Sequence, residues 1–472
     1  IYNLFLSPLR SVPGPLLAKL TTAYDTYLRL CGQSPFIRRR LHEQYGPVVR
    51  LGECAMARRD IVACKQLMRA AISTTGPNQL SVGTADALRV VLHDEGFRKS
   101  EAFFLRVRHT NPFRLVGPSF APRELIKHES LIWRVGAGEL MEKLEIYASS
   151  GDVIDIHGQF RFLATDVISA LLYGRCFHML RVGEQEPLFR LLRLNLVYRM
   201  IVRTRADWYA KRALLTGPTE IGHAHFLQRH IDAARDTAAA AAATGQKVIL
   251  HQLIEARDPD TDIGLTDEEI TAEMVVISVA AIDTTQDIMT WTIDFMLHHP
   301  ECRKQLVAEL DAAYPDRNTE IRYQDRHQFP YLEACVLEAF RMKSPTPNGM
   351  LRNTPAGGRR VCGVHVPAGT MVDPDGYSSH YDAQLWKDPD MYRPERFLGA
   401  GAVEARKQLF HFGAGPRTCA GQTLAMMEVV HTLAALFRRF DVVLAGERPR
   451  PIHQIFLNPH HNELGVRVTV RA

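Results

Sequence analysis

The sequence predicts a mainly α-helical fold with small β-sheets, assembled as one large domain, and three observations carry that expectation. Apolar stretches with helical spacing occur at residues 266–300, 331–341 and 422–437. Short β-rich runs lie beside turn signals: Val48-Val49-Arg50-Leu51 follows Gly46-Pro47, and residues 364–372 read as a hairpin around Pro367-Ala368-Gly369. No Pro/Gly/Ser-rich linker, low-complexity tract or repeat divides the 472 residues, so 16–472 reads as a single unit behind a proline-rich segment at 1–15.

Composition bounds the function. With 46% hydrophobic and 23% charged residues, the chain can bury a substantial core and enclose a pocket. The net charge of +5 is modest and its basic residues are dispersed, which argues against a nucleic-acid partner. Eight cysteines without regular spacing argue against a disulfide framework and fit a reducing compartment. Seven of them, Cys31, Cys54, Cys64, Cys176, Cys302, Cys335 and Cys362, read as ordinary core or surface residues. No stretch reaches the roughly 20 apolar residues that span a bilayer.

In chain order, Phe36 to Tyr45 is amphipathic and precedes the Val48 strand. Residues 70–110 show little periodicity. Residues 185–215 interleave apolar residues with arginines, which suits either a helix on an anionic membrane surface or a core-facing helix with exposed arginines. The 266–300 helix opens on Thr266 and Glu269, a capping-box pair, and stops at Pro300. Its middle reads Ala280-Ala281-Ile282-Asp283-Thr284-Thr285, where an acid in an apolar helix is costly without a task and a threonine hydroxyl can bond back to the preceding turn. Glu338 and Arg341 then share a helix face at a spacing of three.

The chemistry concentrates in Phe410-His411-Phe412-Gly413-Ala414-Gly415-Pro416-Arg417-Thr418-Cys419-Ala420-Gly421, just ahead of the helical run Gln422 to Phe437. Gly413, Gly415 and Gly421 permit unusual backbone conformations and close approach of a bulky group. The helix N-terminus and Arg417 favour the Cys419 thiolate, as ligand or nucleophile. With no second cysteine or histidine pair nearby, a tetrahedral zinc or iron-sulfur site does not fit, and a single thiolate suits a haem iron.

These residues resemble the cytochrome P-450 haem-thiolate monooxygenases. Phe412, Gly415, Arg417, Cys419 and Gly421 match Phe-x-x-Gly-x-Arg-x-Cys-x-Gly, residues 280–285 match the oxygen-side helix motif with Ala281 in place of the usual glycine, and Glu338 with Arg341 matches Glu-x-x-Arg, completed by Arg396 in Arg393-Pro394-Glu395-Arg396-Phe397. The resemblance implies the P-450 fold, with a long central helix over haem b (iron protoporphyrin IX) and Cys419 as the iron's thiolate ligand, which favours cleavage of the O-O bond. It implies that Thr284 bonds dioxygen and the proton-delivering water, that Asp283 relays protons, and that Arg352 and Arg417 meet the haem propionates. Glu338, Arg341 and Arg396 become a structural charge network, while Ala280, Ala281, Met350 and Leu351 line the substrate pocket. Residues 70–110 resemble the variable pocket cover. The family's Trp-x-x-x-Arg propionate contact is absent, with His109 and Phe113 at the aligned positions and His109, Arg108 or Arg114 as substitutes.

The segment Ile1 to Arg10 with Val12-Pro13-Gly14-Pro15 looks like the stretch following a membrane anchor in eukaryotic members. The resemblance therefore implies an anchor ahead of Ile1, an endoplasmic-reticulum membrane with the catalytic domain facing the cytoplasm, and a lid at 185–215 dipping into that surface. It also implies electrons from NADPH through an NADPH-cytochrome reductase docking on Arg417, Arg438 and Arg439, a lipophilic substrate, a monomeric state, and closest likeness to filamentous-fungal enzymes of secondary metabolism. A redox-independent haem-thiolate isomerase or dehydratase, and a non-enzymatic haem-binding protein, are the alternatives.

Overall fold

The computed structural model describes residues 5, 7–20, 23–51, 79–99, 117–184, 218–244, 247–259, 261–348, 350–454 and 456–471. The His109 and Phe113 region, the arginine-laced run at 185–215, Cys54 and Cys64 lie outside these residues. Seven helices position the site: α1 (Ser34–Tyr45), α2 (Ala85–His93), α3 (Ile156–Tyr173), α4 (Asp267–His298), α5 (Pro300–Ala313), α6 (Pro330–Lys343) and α7 (Gln422–Arg439).

The central helix is α4. Thr266 Oγ1 accepts from the Glu269 amide at 3.3 Å while Glu269 Oε2 accepts from the Thr266 amide at 3.0 Å, and Asp267, Glu268 and Glu269 complement the positive end of the helix. Pro300 does more than stop it, since it opens α5 at the position where a missing N-H costs nothing. From Ile282 to Met296 α4 is buried on nearly every side, against α3, α6 and α7. Two of its interior polar groups are paired with other elements: Gln286 Nε2 donates to the His157 carbonyl at 2.9 Å, and Asn458 Nδ2 donates to Asp287 at 3.0 Å.

The main sheet contains β1 (Val48–Arg50), β2 (Gln79–Val82), β3 (Arg98–Lys99), β5 (Arg352–Asn353) and β8 (Met371–Pro374), in the order β1-β2-β8-β5-β3. Only the β2-β8 pairing is parallel. A three-stranded sheet joins β4 (Ile154–Asp155), β12 (Gly465–Val470) and β9 (Phe440–Leu444), and β10 (Pro451–His453) pairs with β11 (Leu457–Pro459). Two expectations are corrected. Residues 79–99 are not part of a variable cover: β2 enters the main sheet and α2 buries Ala85, Leu88, Val91 and Leu92 at helical spacing. The hairpin is instead β6 (Arg359–Val361) with β7 (Val364–Val366), turning at Cys362 and Gly363 with φ of 46° and 77°, whereas 371–374 joins the main sheet as β8.

The opening segment is packed down. Leu9 and Val12 are buried in a cluster with Val48 and Leu80, and the Arg50 amide donates to the Pro13 carbonyl at 2.8 Å. Beside it an interior ion network ties α1 to β8. Arg38, wholly buried, donates from Nη1 to Asp373 Oδ2 at 2.7 Å and from Nη2 to Asp25 Oδ1, while Arg29 bridges the same two carboxylates at 2.8 and 3.1 Å. Burial opposes ionisation of Asp25, but the charges of Arg29 and Arg38 prevail and hold its carboxyl well below the usual range. That stabilisation is present above the ordinary carboxylate pKa and is lost as pH falls. Replacing Arg38→Met removes the buried one of the two guanidiniums that compensate Asp25 and Asp373, leaving Arg29 in place, and is expected to lower the unfolding free energy by about 3 kcal/mol, read from denaturant midpoints at neutral pH.

Candidate active site

Backbone bonds hold the cysteine loop: the Gly413 amide donates to Phe410 O at 2.9 Å and the Cys419 amide to Phe412 O at 2.8 Å. Gly413 and Gly415 occupy left-handed conformations, φ of 73° and 69°. A Cβ at Gly415 would stand 2.4 Å from the Leu92 carbonyl oxygen, so the glycine lets the loop lie on the end of α2. Gly421 differs from expectation. Its φ of −80° suits any residue, and a methyl there would rest 3.9 Å from Cys419 Sγ, taking space beside the sulfur without straining the backbone.

Cys419 is accessible to solvent although protein surrounds its thiol, so the sulfur opens onto an interior cleft. Burial pushes the thiol above its ordinary range, and the Gly421 amide, Lys99 and the Gln422 amide pull it back only in part. Deprotonation here calls for a metal cation at the sulfur.

Three cations stand around this cleft. Arg352 is buried and donates from Nη1 to the Met350 and Leu351 carbonyls at 2.9 and 3.3 Å. Its cross-strand partner is Lys99, which puts both side chains on one face. Arg417 donates to the Phe97 carbonyl at 3.2 Å. Burial, reinforced by the neighbouring positive charges, lowers Lys99 to about 8 and Arg352 to about 10. Like charges placed directly opposite repel, so the cluster suits a ligand with carboxylates. One thiol for iron and three cations for two propionates form a donor set that fits haem b. Lys99 escaped the sequence reading because its register with Arg352 exists only once the sheet forms.

On α4, Ala280 is exposed and Ala281 and Thr284 are half-buried among buried neighbours, which identifies the cleft-facing stripe. Thr284 Oγ1 donates to the Ala280 carbonyl at 2.7 Å, and α4 continues unbroken through this bond. Asp283 is 3% exposed and sits with Oδ1 4.0 Å from Arg161 Nε of α3, a partner the sequence did not reveal. Glu273, seven residues before Ala280 on the same face, is raised by burial to about 6, with the Lys99 charge opposing. Met350 is half-buried beside the cysteine loop, but Leu351 is 1% exposed and belongs to the interior instead of lining a pocket.

The three network residues come together. Arg341 donates from Nε to Glu338 Oε2 at 2.7 Å and from Nη2 to Oε1 at 2.8 Å, Arg396 Nε reaches Oε1 at 3.1 Å, and Arg341 Nη1 donates to the His380 carbonyl at 2.8 Å. The expected reductase contacts at α7 are corrected. Arg438 is 6% exposed and bonded to Asp311 and the Tyr314 carbonyl, and Arg439 donates to the Arg317 carbonyl at 3.1 Å, so both are spent inside the fold.

An α-helical fold with a long central helix, and an interior cleft presenting one accessible cysteine beneath a cationic cluster, define a haem-thiolate protein. The chain belongs to the cytochrome P-450 family, whose profile matches residues 32–465. It is 26% identical to cytochrome P-450 monooxygenase helB3 of Aspergillus fumigatus over 94% of this chain and 86% of that one. Monooxygenase ABA2 of Pyricularia oryzae is 27% identical over 93% and 85%, and FUS8 of Gibberella fujikuroi 26% over 99% and 90%. The haem domain of cytochrome P-450DA shares the fold with a TM-score of 0.79 over 98% of both chains at 17% identity. Family and fold imply haem with a cysteine thiolate ligand, dioxygen, a redox partner and a lipophilic substrate.

Two neutral histidines support the loop. His380 Nε2 accepts from the Phe410 amide at 3.0 Å, and His411 lies between the rings of Phe340 and Phe412 at 4.3 and 4.4 Å. Burial lowers both to about 3. The unfolded chain binds protons at these sites near pH 6.5 and the folded one does not, so stability is full above that value and falls as pH drops toward 3. His411→Leu should flatten the pH dependence of the denaturant midpoint in this window by up to about 1.4 kcal/mol per pH unit.

Proposed function

We propose that this protein is a haem-thiolate monooxygenase that inserts one atom of dioxygen into a lipophilic small molecule, by hydroxylation, epoxidation or multistep oxidation, in fungal secondary metabolism. The observation that carries this reading is the accessible thiol of Cys419, just ahead of α7, opening onto a cleft ringed by Lys99, Arg352 and Arg417. Haem b bound there supplies the activation of dioxygen and the cleavage of its O-O bond.

The chain supplies the rest. Cys419 ligates the iron, and the three cations hold the haem carboxylates and fix its orientation. The Thr284 hydroxyl, which bonds only one turn back, rotates to hold a water at the cleft face and passes protons to it. Asp283, buried beside Arg161, relays protons from the interior side of α4. Ala280, Ala281 and Met350 give the cleft apolar walls that hold the substrate and keep bulk water out.

Electrons come from NADPH through an NADPH-cytochrome reductase that meets the face carrying the cysteine loop. The enzyme works as a monomer at the endoplasmic-reticulum membrane, facing the cytoplasm. Exposure of Phe5 and Leu16 at 65% each, with Leu20 at 42%, supports membrane contact by the opening segment, although no described helix is long and apolar enough to cross a bilayer.

With a reductase, NADPH and isotopically heavy dioxygen, one heavy oxygen atom should appear in the product. Thr284→Ala should keep consuming NADPH while the yield of product per NADPH falls at least about tenfold. Product formation without NADPH or reductase would replace oxygen insertion with isomerase or dehydratase chemistry.

A further inference from the structure

Beyond the cleft, α4 carries a second set of features. Trp291 and Phe295 share one face at an interval of four, beginning seven residues past Thr284, about 10 Å at 1.5 Å per residue, and His299 caps the helix end beyond them. This face, the end of α6 and the loop at 448–451 border a half-open cavity of about 560 Å³, within the range that small ligands occupy. Nothing lining it belongs to the cysteine loop or to the Ala280–Thr284 stripe.

The wall is aromatic. Phe295 and Tyr392 stack with centroids 4.3 Å apart and planes 9° from parallel, and His299 lies 5.1 Å from Tyr392. The carboxylates at the cavity are already engaged. Asp294 accepts from Arg448 Nη2 at 2.9 Å and Nε at 3.1 Å, and Asp390 accepts from Arg39 at 2.7 and 2.9 Å. Lys343, the last residue of α6, is different. Its ammonium stands 5.2 Å over the Trp291 ring and, among the described residues, has no carboxylate partner within 4 Å. Burial lowers Lys343 to about 8, with the Arg448 charge adding to the effect and Asp294 opposing it. An ammonium without its own counter-ion beside an aromatic wall is an arrangement that an anion with an apolar body would complete.

We propose that this cavity is a second binding site, separate from the Cys419 cleft, for a small amphipathic monocarboxylate whose apolar body packs beside the stacked Phe295–Tyr392 pair and whose carboxylate meets Lys343. A phosphate-like dianion fits less well, because Arg448 is committed to Asp294 and Arg450 is exposed, which leaves one buried ammonium with too few convergent donors.

The test uses the holoenzyme with phenylimidazole saturating the haem, titrated calorimetrically with naphthoate and with the neutral naphthalene methanol. Naphthoate should bind one to one whether or not phenylimidazole is present. The alcohol, and naphthoate with Lys343→Met, should bind about tenfold more weakly or worse, while Lys343→Arg should recover most of the affinity. An unchanged Soret spectrum verifies that each variant keeps its haem site. If Lys343→Met does not fold, the wild-type contrast between acid and alcohol and the Lys343→Arg titration decide the matter. Absence of saturable naphthoate binding, displacement by phenylimidazole, equal affinity in Lys343→Met, or equal competition by inorganic phosphate would each overturn the assignment.

Discussion

The site depends on a carboxylate that water never reaches. Glu338 is wholly buried and accepts from Arg341, Arg396 and the Arg393 amide, so one side chain binds α6 to the segment leading into the cysteine loop. The chain of contacts continues outward. Arg341 holds the His380 carbonyl, the His380 ring receives the Phe410 amide, and two residues further Phe412 receives the Cys419 amide. Buried ion pairs of this kind add little net stability over apolar packing, but breaking one is costly, which makes them suited to fixing geometry. Here the geometry fixed is the place of a sulfur.

Electrostatics around that sulfur are arranged for a guest. Lys99 and Arg352 face each other across two strands, Arg417 stands nearby, and burial weakens the protonation of Lys99 and Arg352. Glu273 contributes one negative charge from the α4 face. Two haem propionates added to it would balance three cations, leaving a cleft of near-zero net charge, as a lipophilic substrate requires. Cys419 fits the same scheme: burial favours its thiol form, and a metal cation held at the sulfur would favour the thiolate.

Much of this was legible in the sequence where chemistry is local. The capping box at Thr266, the return bond of Thr284 and the pair Glu338 and Arg341 each involve residues within four positions, although the pair gains its meaning only from its place ahead of Arg396 and the cysteine loop. The reading failed where the deciding partner is distant. Lys99 acquires meaning only opposite Arg352, Asp283 only beside Arg161, and Arg438 is consumed by Asp311 and Tyr314. The misplaced hairpin has the same origin, since Met371 to Pro374 pairs with β2 almost three hundred residues earlier in the chain, beyond any local turn signal. Residues 85–93 are the exception: their helical spacing is local, yet the aperiodic stretches on either side mask it.

The central claim is that Cys419 ligates a haem iron, and the reduced protein under carbon monoxide tests it most directly, because the Soret band reports the axial ligand. A strongly red-shifted band that disappears in Cys419→Ser is the predicted result. A histidine-like spectrum, or a red-shifted band that survives the substitution, would contradict it and detach the cationic cleft from thiolate chemistry.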